Sequence, residues 1–318
     1  MTEPSQKIEQ IIQEVEKVIV GKRSVIELSL TALLAGGHVL IEDVPGVGKT
    51  MLVRALAKSI DTSFRRIQFT PDLLPSDVTG VSVFNPETRD FEFRPGPIMG
   101  NIVLADEINR TAPRTQAALL EGMAENSVTV DGETRPLAEP FFVMATQNPI
   151  EYEGTYALPE AQLDRFLFKI TMGYPTKQEE IDLLSAKQQA EPLENTKAVI
   201  GLTDLLELKR SAADVFVADE LKSYIVELVQ ATRRHTLVSL GVSPRGAIAM
   251  MQAAKSFAFV SGRQFVTPDD IQYLAPFIFT HRLILSANAL YNEATPEQII
   301  QDVLKNTAVP VEKSRFNG

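Results

Sequence analysis

The sequence predicts an α/β domain with a parallel sheet covered by helices, followed by a domain built only from helices. Three observations support this prediction. Short apolar stretches alternate with segments of helical periodicity in the first half of the chain, which is typical of a parallel sheet. A glycine-containing loop at residues 43–50 joins one such stretch to a helix. After Pro175 the periodicity is helical, and no strand pattern is found. The predicted domains are therefore residues 1–174 and 175–318.

The elements follow from periodicity and turn residues. Apolar residues at helical spacing predict two helices across residues 6–35, separated near Gly21. Two hairpins interrupt the alternation, at residues 81–94 and 127–137. The second contains Asp131-Gly132, which favours a type I′ turn. In the second domain, Thr267-Pro268-Asp269-Asp270 and Thr295-Pro296-Glu297-Gln298 are typical helix starts. The five strands predicted for the sheet are residues 38–42, 66–69, 102–105, 141–145 and 166–170.

The composition is that of an ordinary globular protein with room for two cores. The chain has 318 residues, of which 44% are hydrophobic and 23% charged. No apolar run approaches the ~20 residues needed to span a bilayer, and the first residues lack the apolar core of a signal peptide. We therefore expect a cytoplasmic protein with no membrane segment. The chain has no cysteine, which excludes disulfides and thiolate metal sites.

The charge balance argues against strong nucleic-acid binding. The formal net charge is −10, whereas affinity for nucleic acids comes mostly from neutralising phosphates with basic side chains. The basic runs Phe64-Arg65-Arg66 and Arg233-Arg234-His235 are short. We interpret both as solvent-facing.

The segment Asp43-Val44-Pro45-Gly46-Val47-Gly48-Lys49-Thr50 has the pattern of a phosphate-binding loop between a strand and a helix. Glycines let backbone N–H groups face phosphate oxygens, and the helix N-terminus adds positive partial charge. Lys49 would reach the β- and γ-phosphates, and the Thr50 hydroxyl would bind Mg²⁺. The pattern has one departure, because Asp43 stands where the motif has its first glycine. On these residues alone, a plain β-turn remains the alternative.

Two further predicted strands end in groups suited to phosphoryl transfer. Asp106 and Glu107 follow an apolar strand, and the carboxyl ends of parallel strands are where ligands bind. Asp106 would hold Mg²⁺ and Glu107 would act as general base on the attacking water. Asn148 ends the next strand, where its amide could orient that water. An acidic turn and an ordinary strand exit at Asn148-Pro149 are the alternatives.

Two arginines are candidates for stabilising transition-state charge. Arg165 precedes the fifth strand, and Arg245 begins a helix of the second domain. Arginine suits a phosphoryl group in transfer, and such a residue can raise the rate roughly 10³–10⁵-fold. For each of them, a surface ion pair is the alternative.

Taken together, these residues resemble the MoxR family of AAA+ ATPases over nearly the whole chain. MoxR proteins look like this chain at the position of Asp43 too. The absence of the first glycine of the phosphate-binding motif therefore does not weaken the resemblance. The most specific stretches are Val39 to Thr50, Gln68-Phe69-Thr70-Pro71-Asp72-Leu73-Leu74-Pro75-Ser76-Asp77, Asp106-Glu107-Ile108-Asn109-Arg110, Ala145-Thr146-Gln147-Asn148-Pro149 and Leu158 to Phe166.

The resemblance implies a role for each candidate. Asp106 and Glu107 resemble Walker B, Asn148 sensor 1, Arg245 sensor 2, and Arg165 the arginine finger that acts on a neighbouring subunit. Val20-Gly21 resembles the segment lining the adenine pocket. The residues expected to bind Mg²⁺ are Thr50 and Asp106. The residues expected to bind ATP, including those that resemble Walker A, are Val20, Gly21, Pro45, Gly46, Val47, Gly48, Lys49, Thr50, Met51 and Asp106.

The family likeness also implies partners. A finger acting in trans implies a ring, most often a hexamer, and the second domain would be a lid. The two hairpins would face a central pore or a protein client, and they could instead be plain solvated hairpins. The leading hypothesis is a chaperone-like motor that remodels or activates a client, such as a protein with a von Willebrand factor A domain. The alternatives are a nucleotide-gated scaffold, a DNA-acting motor and a magnesium-chelatase-type motor.

Overall fold

The computed structural model describes residues 3–148, 155–187 and 193–310. The chain divides into two compact units, Met1–Arg210 and Ser211–Gly318, and each is described by itself. Within the described ranges, no helix combines the length and apolar character needed to cross a bilayer.

The first unit contains the predicted parallel sheet. Its helices are α1 (Glu3–Glu16), α2 (Arg23–Ala35), α3 (Lys49–Ser59), α4 (Pro75–Thr79), α5 (Pro113–Glu125), α6 (Glu160–Leu163), α7 (Lys177–Lys187) and most of α8 (Leu202–Ala213). Its strands are β1 (Val39–Glu42), β2 (Phe64–Gln68), β3 (Gly80–Asn85), β4 (Asp90–Pro95), β5 (Ile102–Asp106), β6 (Ser127–Val130), β7 (Glu133–Pro136), β8 (Phe142–Gln147) and β9 (Phe168–Ile170).

Five of these strands form one parallel sheet, in the order β2-β5-β8-β1-β9. All five strands predicted from the sequence are therefore confirmed. The central strands β5 and β8 are buried almost throughout, which explains why they read as continuous apolar runs instead of alternating ones. The register places Ala145 opposite both Leu40 and Ala105, so the carboxyl ends of β1, β5 and β8 lie side by side.

Helices α1 and α2 precede the sheet, as predicted. Ile8, Ile11, Ile12 and Val15 form the buried stripe of α1, at the spacing of one helical face. Gly21 lies between the two helices with φ +74°, a left-handed conformation that glycine adopts without strain.

Both predicted hairpins are confirmed. Strands β3 and β4 pair antiparallel, with Phe84 opposite Phe91. Strands β6 and β7 pair around Asp131 and Gly132, whose φ values are +53° and +80°, as a type I′ turn requires. The guanidinium of Arg135 lies 4.0 Å from the ring centre of Phe93, so the two hairpins contact each other.

The change from sheet to helix occurs between β9 and α7, close to residue 174, but the compact units divide later. The chain from 193 to 204 packs back on the first unit. Val199 N–H donates to Ser59 O at 2.8 Å, and the Lys7 ammonium contacts the Asp204 carboxylate at 2.8 Å. The secondary structure thus changes close to residue 174, whereas contacts of Val199 and Asp204 join the chain after residue 193 to the first unit.

The second unit is mainly helical, and its predicted helix starts are confirmed. Thr267 with Asp270 and Thr295 with Gln298 form capping boxes. The expectation of no strand after residue 175 is wrong, because two strands form a small antiparallel ribbon. They are too short to give an alternating pattern. The helices are the end of α8, α9 (Asp219–Arg234), α10 (Pro244–Val260), α11 (Pro268–Phe279), α12 (Ala287–Tyr291) and α13 (Pro296–Asn306), and the strands are β10 (Val238–Leu240) and β11 (Ile284–Leu285).

Candidate functional site

The loop after β1 has the geometry of an anion-binding loop. Gly46 and Gly48 have φ values of +88° and +95°, and no atom lies within 4 Å of where a Cβ of Gly46 would stand. Gly48 is the N-cap of α3, so the backbone can expose N–H groups at a helix N-terminus. Pro45 is exposed and Val47 is half-buried, as are Thr50 and Met51 in the first turn of α3.

Lys49 is the first residue of α3, and its side chain is buried. Its ammonium donates to the backbone carbonyl of Asp43 at 2.7 Å. Burial lowers the pKa of Lys49, and the nearby carboxylates of Asp43, Asp106 and Glu107 partly oppose that effect. The loop thus holds a desolvated cation beside acidic groups.

Asp106 ends β5, and its carboxylate is buried. One oxygen, Oδ1, accepts a hydrogen bond from the Thr146 hydroxyl at 2.7 Å. The other, Oδ2, accepts from Arg66 Nη2 at 2.6 Å and from Arg66 Nε at 3.2 Å. The carboxylate therefore has a fixed orientation and an arginine as counter-ion.

Glu107 lies in the left-handed region, with φ 57° and ψ 49°. Such a conformation is uncommon for a residue with a Cβ and costs about 1–3 kcal/mol. The Glu107 N–H donates to the Thr146 hydroxyl at 2.8 Å, which anchors the turn. Its Oε2 accepts from Gln68 Nε2 at 2.9 Å and from Arg110 Nη1 at 3.0 Å. Neighbouring donors thus hold the Glu107 carboxylate in a fixed position.

Asn148 joins the loop to the acidic pair. Its Nδ2 donates to Glu107 Oε1 at 3.1 Å, and its Oδ1 lies 3.5 Å from Lys49 Nζ. Its own carbonyl accepts from Asn109 Nδ2 at 3.4 Å. The structure thus brings Lys49, Asn148 and Glu107 into one chain of contacts. Pro149, the next residue of the motif, lies outside the described residues.

These groups fit a nucleotide with Mg²⁺. The open backbone at Gly46 and the buried Lys49 suit an anion, and Thr50 and Asp106 supply the oxygen ligands that Mg²⁺ prefers. In the described ranges, no cluster of three or more histidine, aspartate or glutamate side chains could hold a metal alone.

The segment predicted to line the adenine pocket lies beside the loop. A methyl carbon of Ile19 comes within 3.7 Å of where a Cβ of Gly48 would stand. The Glu179 carboxylate lies beside Gly21, in the space where a Cβ of this residue would stand. The segment Ile19 to Gly21 thus lies between the loop and the Glu179 side chain of α7.

The two candidate arginines are not brought to this site within the first unit. Arg165 lies in the turn before β9. Shortly after it, the N–H groups of Leu167 and Phe168 donate to His38 O at the amino end of β1. Arg165 is therefore at the amino edge of the parallel sheet, opposite the edge that carries Lys49. Its guanidinium makes no ion pair with the described part of the chain. Arg245 is exposed in the first turn of α10, in the second unit.

Sequence reasoning missed four side chains that hold the acidic pair: Arg66, Gln68, Arg110 and Thr146. The interpretation of Phe64-Arg65-Arg66 as solvent-facing agrees with the exposure of Arg66, but it does not include the ion pair between the Arg66 guanidinium and Asp106. Arg66 and Gln68 are two residues apart and so face the same side of β2. That spacing is visible in the sequence, but the pairing of β2 with β5 is not.

Comparisons with known proteins agree with this architecture. Residues 38–168 match the ATPase family associated with various cellular activities (AAA), and residues 230–303 match the AAA lid domain. YeaC of Bacillus subtilis (strain 168) is 61% identical over 303 residues, which cover 95% of both chains. Chaperone MoxR1 of Mycobacterium tuberculosis is 44% identical over 95% of this chain and 82% of that protein.

A crystal structure from Cytophaga hutchinsonii superposes with a TM-score of 0.91 at 40% identity, covering 97% of this chain and 96% of that one. A parallel sheet with a phosphate-type loop, an AAA lid domain and relatives of this identity and coverage define the family. The chain therefore belongs to the MoxR family of AAA+ ATPases and hydrolyses ATP.

Proposed function

We propose that this ATPase is a ring-forming, chaperone-like motor that uses ATP hydrolysis to remodel or activate a protein client. The observation that carries the proposal is the chain of contacts from Lys49 through Asn148 to Glu107. It brings together a cation suited to phosphate, a general base and an amide that could orient water, and hydrolysis of a triphosphate uses groups of these kinds at one site. A protein that only binds nucleotide has little need for such a base.

The roles follow from the chemistry of each group. Residues Val20 and Gly21 hold the adenine, and the loop from Pro45 to Met51 holds the phosphates. Lys49 neutralises phosphate charge, and Thr50 and Asp106 hold Mg²⁺. When bound, Mg²⁺ supplies a Lewis acid that draws charge from the phosphate oxygens.

The proton of the attacking water goes to Glu107. Its carboxylate is held by Asn148, Gln68 and Arg110, so little reorganisation is needed when the water binds. Asn148 orients that water against the γ-phosphate.

The ring proposal rests on Arg165. Its place at the amino edge of the sheet supports action on the nucleotide of a neighbouring copy, because the chain's own loop is at the other edge. Arg245 of the lid contributes positive charge to the nucleotide of its own chain. Both arginines are suited to stabilising the charge that develops in phosphoryl transfer. A hexamer is the ring size we propose.

The client proposal has two supports. The relative from Mycobacterium tuberculosis is named a chaperone. Phe84 and Phe91, paired near the tip of the first hairpin, are 50% and 67% exposed, and exposed aromatic pairs are typical of contact surfaces. We propose that hairpins 81–94 and 127–137 contact the client, and that the client carries a von Willebrand factor A domain. The net charge of −10 disfavours a DNA substrate.

Complementation between two inactive variants tests the shared site. Arg165→Ala lacks the finger, and Glu107→Gln lacks the base. In a mixed ring, a subunit with Arg165→Ala keeps its own base and receives the finger of a Glu107→Gln neighbour. With random mixing at equal amounts, about a quarter of the sites are complete, so about a quarter of wild-type activity is expected.

Lys49→Ala in place of either variant is the control. Mixed with Arg165→Ala, it restores activity by the same route as Glu107→Gln, because it too keeps its finger. Mixed with Glu107→Gln, it restores nothing, since neither chain then has a working site. An inactive mixture of Arg165→Ala with Glu107→Gln would refute the shared site. Full client activation by Glu107→Gln would instead favour the nucleotide-gated scaffold.

A further inference from the structure

Asp43 stands where phosphate-binding loops have their first glycine, and the structure shows why a side chain fits there. Asp43 is not among the residues with positive φ, so its backbone needs no glycine. Its side chain is buried, and a buried carboxylate is costly unless hydrogen bonds satisfy it. We therefore expect hydrogen bonds to both oxygens of this carboxylate.

The carboxylate of Asp43 accepts three backbone hydrogen bonds. Oδ1 accepts from Val44 N–H at 2.8 Å. Oδ2 accepts from Met172 N–H at 2.7 Å and from Gly173 N–H at 2.6 Å. Met172 and Gly173 follow β9, where the chain leaves the sheet. One side chain thus links the start of the nucleotide loop to the residues that follow β9.

The backbone of the same residue holds the site on both sides. Its carbonyl accepts from Lys49 Nζ at 2.7 Å, and its N–H donates to Gln147 O at 3.2 Å, next to Asn148. The carboxylate bonds fix the peptide group on which Lys49 rests. Because Val44 N–H is used by Asp43, the N–H groups left for phosphate begin after Val44.

From these contacts we infer that Asp43 is a positioning residue for nucleotide binding. Its carboxylate clamps the loop to Met172 and Gly173, and the clamp sets the position of the Lys49 ammonium. This inference rests on the proposed nucleotide site. Phosphate-binding loops in general have glycine at this position. The inference predicts that glycine at position 43 of this chain weakens nucleotide binding.

Asp43→Gly is the decisive variant, because it restores the general pattern and removes the clamp. The Kd for N-methylanthraniloyl-ATP, followed by fluorescence well below the unfolding temperature, should rise at least tenfold, and KM for ATP should rise with it. Asp43→Asn keeps the size of the side chain, but its NH₂ group faces N–H donors. We expect a rise of about threefold for Asp43→Asn, since part of the hydrogen bonding remains.

A matched control separates positioning from general loss of stability. His38 is also buried, and it holds two backbone groups at the other end of β1, with Nδ1 accepting from Val143 N–H at 3.1 Å and Nε2 3.2 Å from Met123 O. His38→Ala should lower the unfolding temperature and leave the Kd unchanged. In a Lys49→Ala background, Asp43→Gly should weaken binding no further, because the clamp acts through Lys49.

The outcomes are distinct. If Lys49→Ala binds the probe as tightly as the wild type, the proposed site fails and the inference fails with it. If Lys49→Ala binds the probe measurably more weakly than the wild type while Asp43→Gly binds like the wild type, only the inference is overturned. A folded Asp43→Gly protein with a raised Kd, beside a normal Kd for His38→Ala, supports it. Should Asp43→Gly not fold, the Kd of Asp43→Asn decides: a normal value overturns the clamp.

Discussion

Thr146→Val tests whether one hydroxyl sets the geometry of both acidic residues. The Thr146 side chain is fully buried, donates to Asp106 Oδ1 at 2.7 Å and accepts from Glu107 N–H at 2.8 Å. Valine has nearly the same shape and removes both bonds. The change leaves a buried carboxylate oxygen without this donor, and it leaves a strained turn without its anchor.

The magnitude follows from the two lost bonds. A hydrogen bond to a charged group contributes about 1.5–3 kcal/mol, and a buried N–H left without an acceptor costs about 1–3 kcal/mol. Both bonds are made by one hydroxyl, and the turn can relax when that hydroxyl is removed, so the two contributions are not additive. We expect the free energy of unfolding to fall by about 2–4 kcal/mol, which lowers the urea midpoint by about 1–2 M.

The assay combines urea unfolding, followed by far-ultraviolet circular dichroism, with steady-state ATPase kinetics. We expect kcat to fall at least tenfold and KM for ATP to change little, because Thr146 does not contact the loop. Thr31→Val is the matched control, since Thr31 is equally buried in α2 and its hydroxyl has no hydrogen-bond partner in the described chain. An unfolding midpoint and a kcat equal to those of Thr31→Val would refute the reasoning.

Two other predictions concern His38 and Arg66. Burial lowers the pKa of His38 from 6.5 to about 4, so the unfolded chain binds more protons between these values. The free energy of unfolding should fall by about 3 kcal/mol as pH drops through this window. His38→Gln should remove this dependence of the unfolding free energy on pH. The same slope against pH in His38→Gln as in the wild type would contradict the assignment to His38. The Arg66 side chain is 48% exposed, so its ion pair with Asp106 is worth at most about 1 kcal/mol. If Arg66 and Mg²⁺ compete for the Asp106 carboxylate, Arg66→Ala should lower the Mg²⁺ concentration for half-maximal ATPase activity up to about fivefold. An increase in that concentration would count against such competition.

The sequence predicts best those features that depend on local pattern. Strand β5 is a buried apolar run that ends in Asp106 and Glu107, and both its existence and its carboxylates are visible in the sequence. The turn at Asp131 and Gly132 is likewise encoded by two adjacent residues. In each case the deciding interaction involves neighbours along the chain.

The features that were missed depend on which elements become neighbours in space. The ion pair between the exposed Arg66 and Asp106 is absent from the sequence prediction, because nothing in the sequence shows that β2 pairs with β5. The role of Thr146 has the same origin, since its hydroxyl bridges to the adjacent strand. Strands β10 and β11 were missed because three and two residues cannot show an alternating pattern.

The position of Arg165 at the amino edge of the sheet has a consequence for assembly. Under its proposed role, each copy offers a finger at one edge and an incomplete site at the other, so the contact between copies is head-to-tail. Contacts of this polarity either close on themselves or extend without limit into a filament. An open filament always leaves one terminal site without a finger, whereas closure leaves none. For any number of subunits, a closed ring therefore has one more complete catalytic site than an open filament.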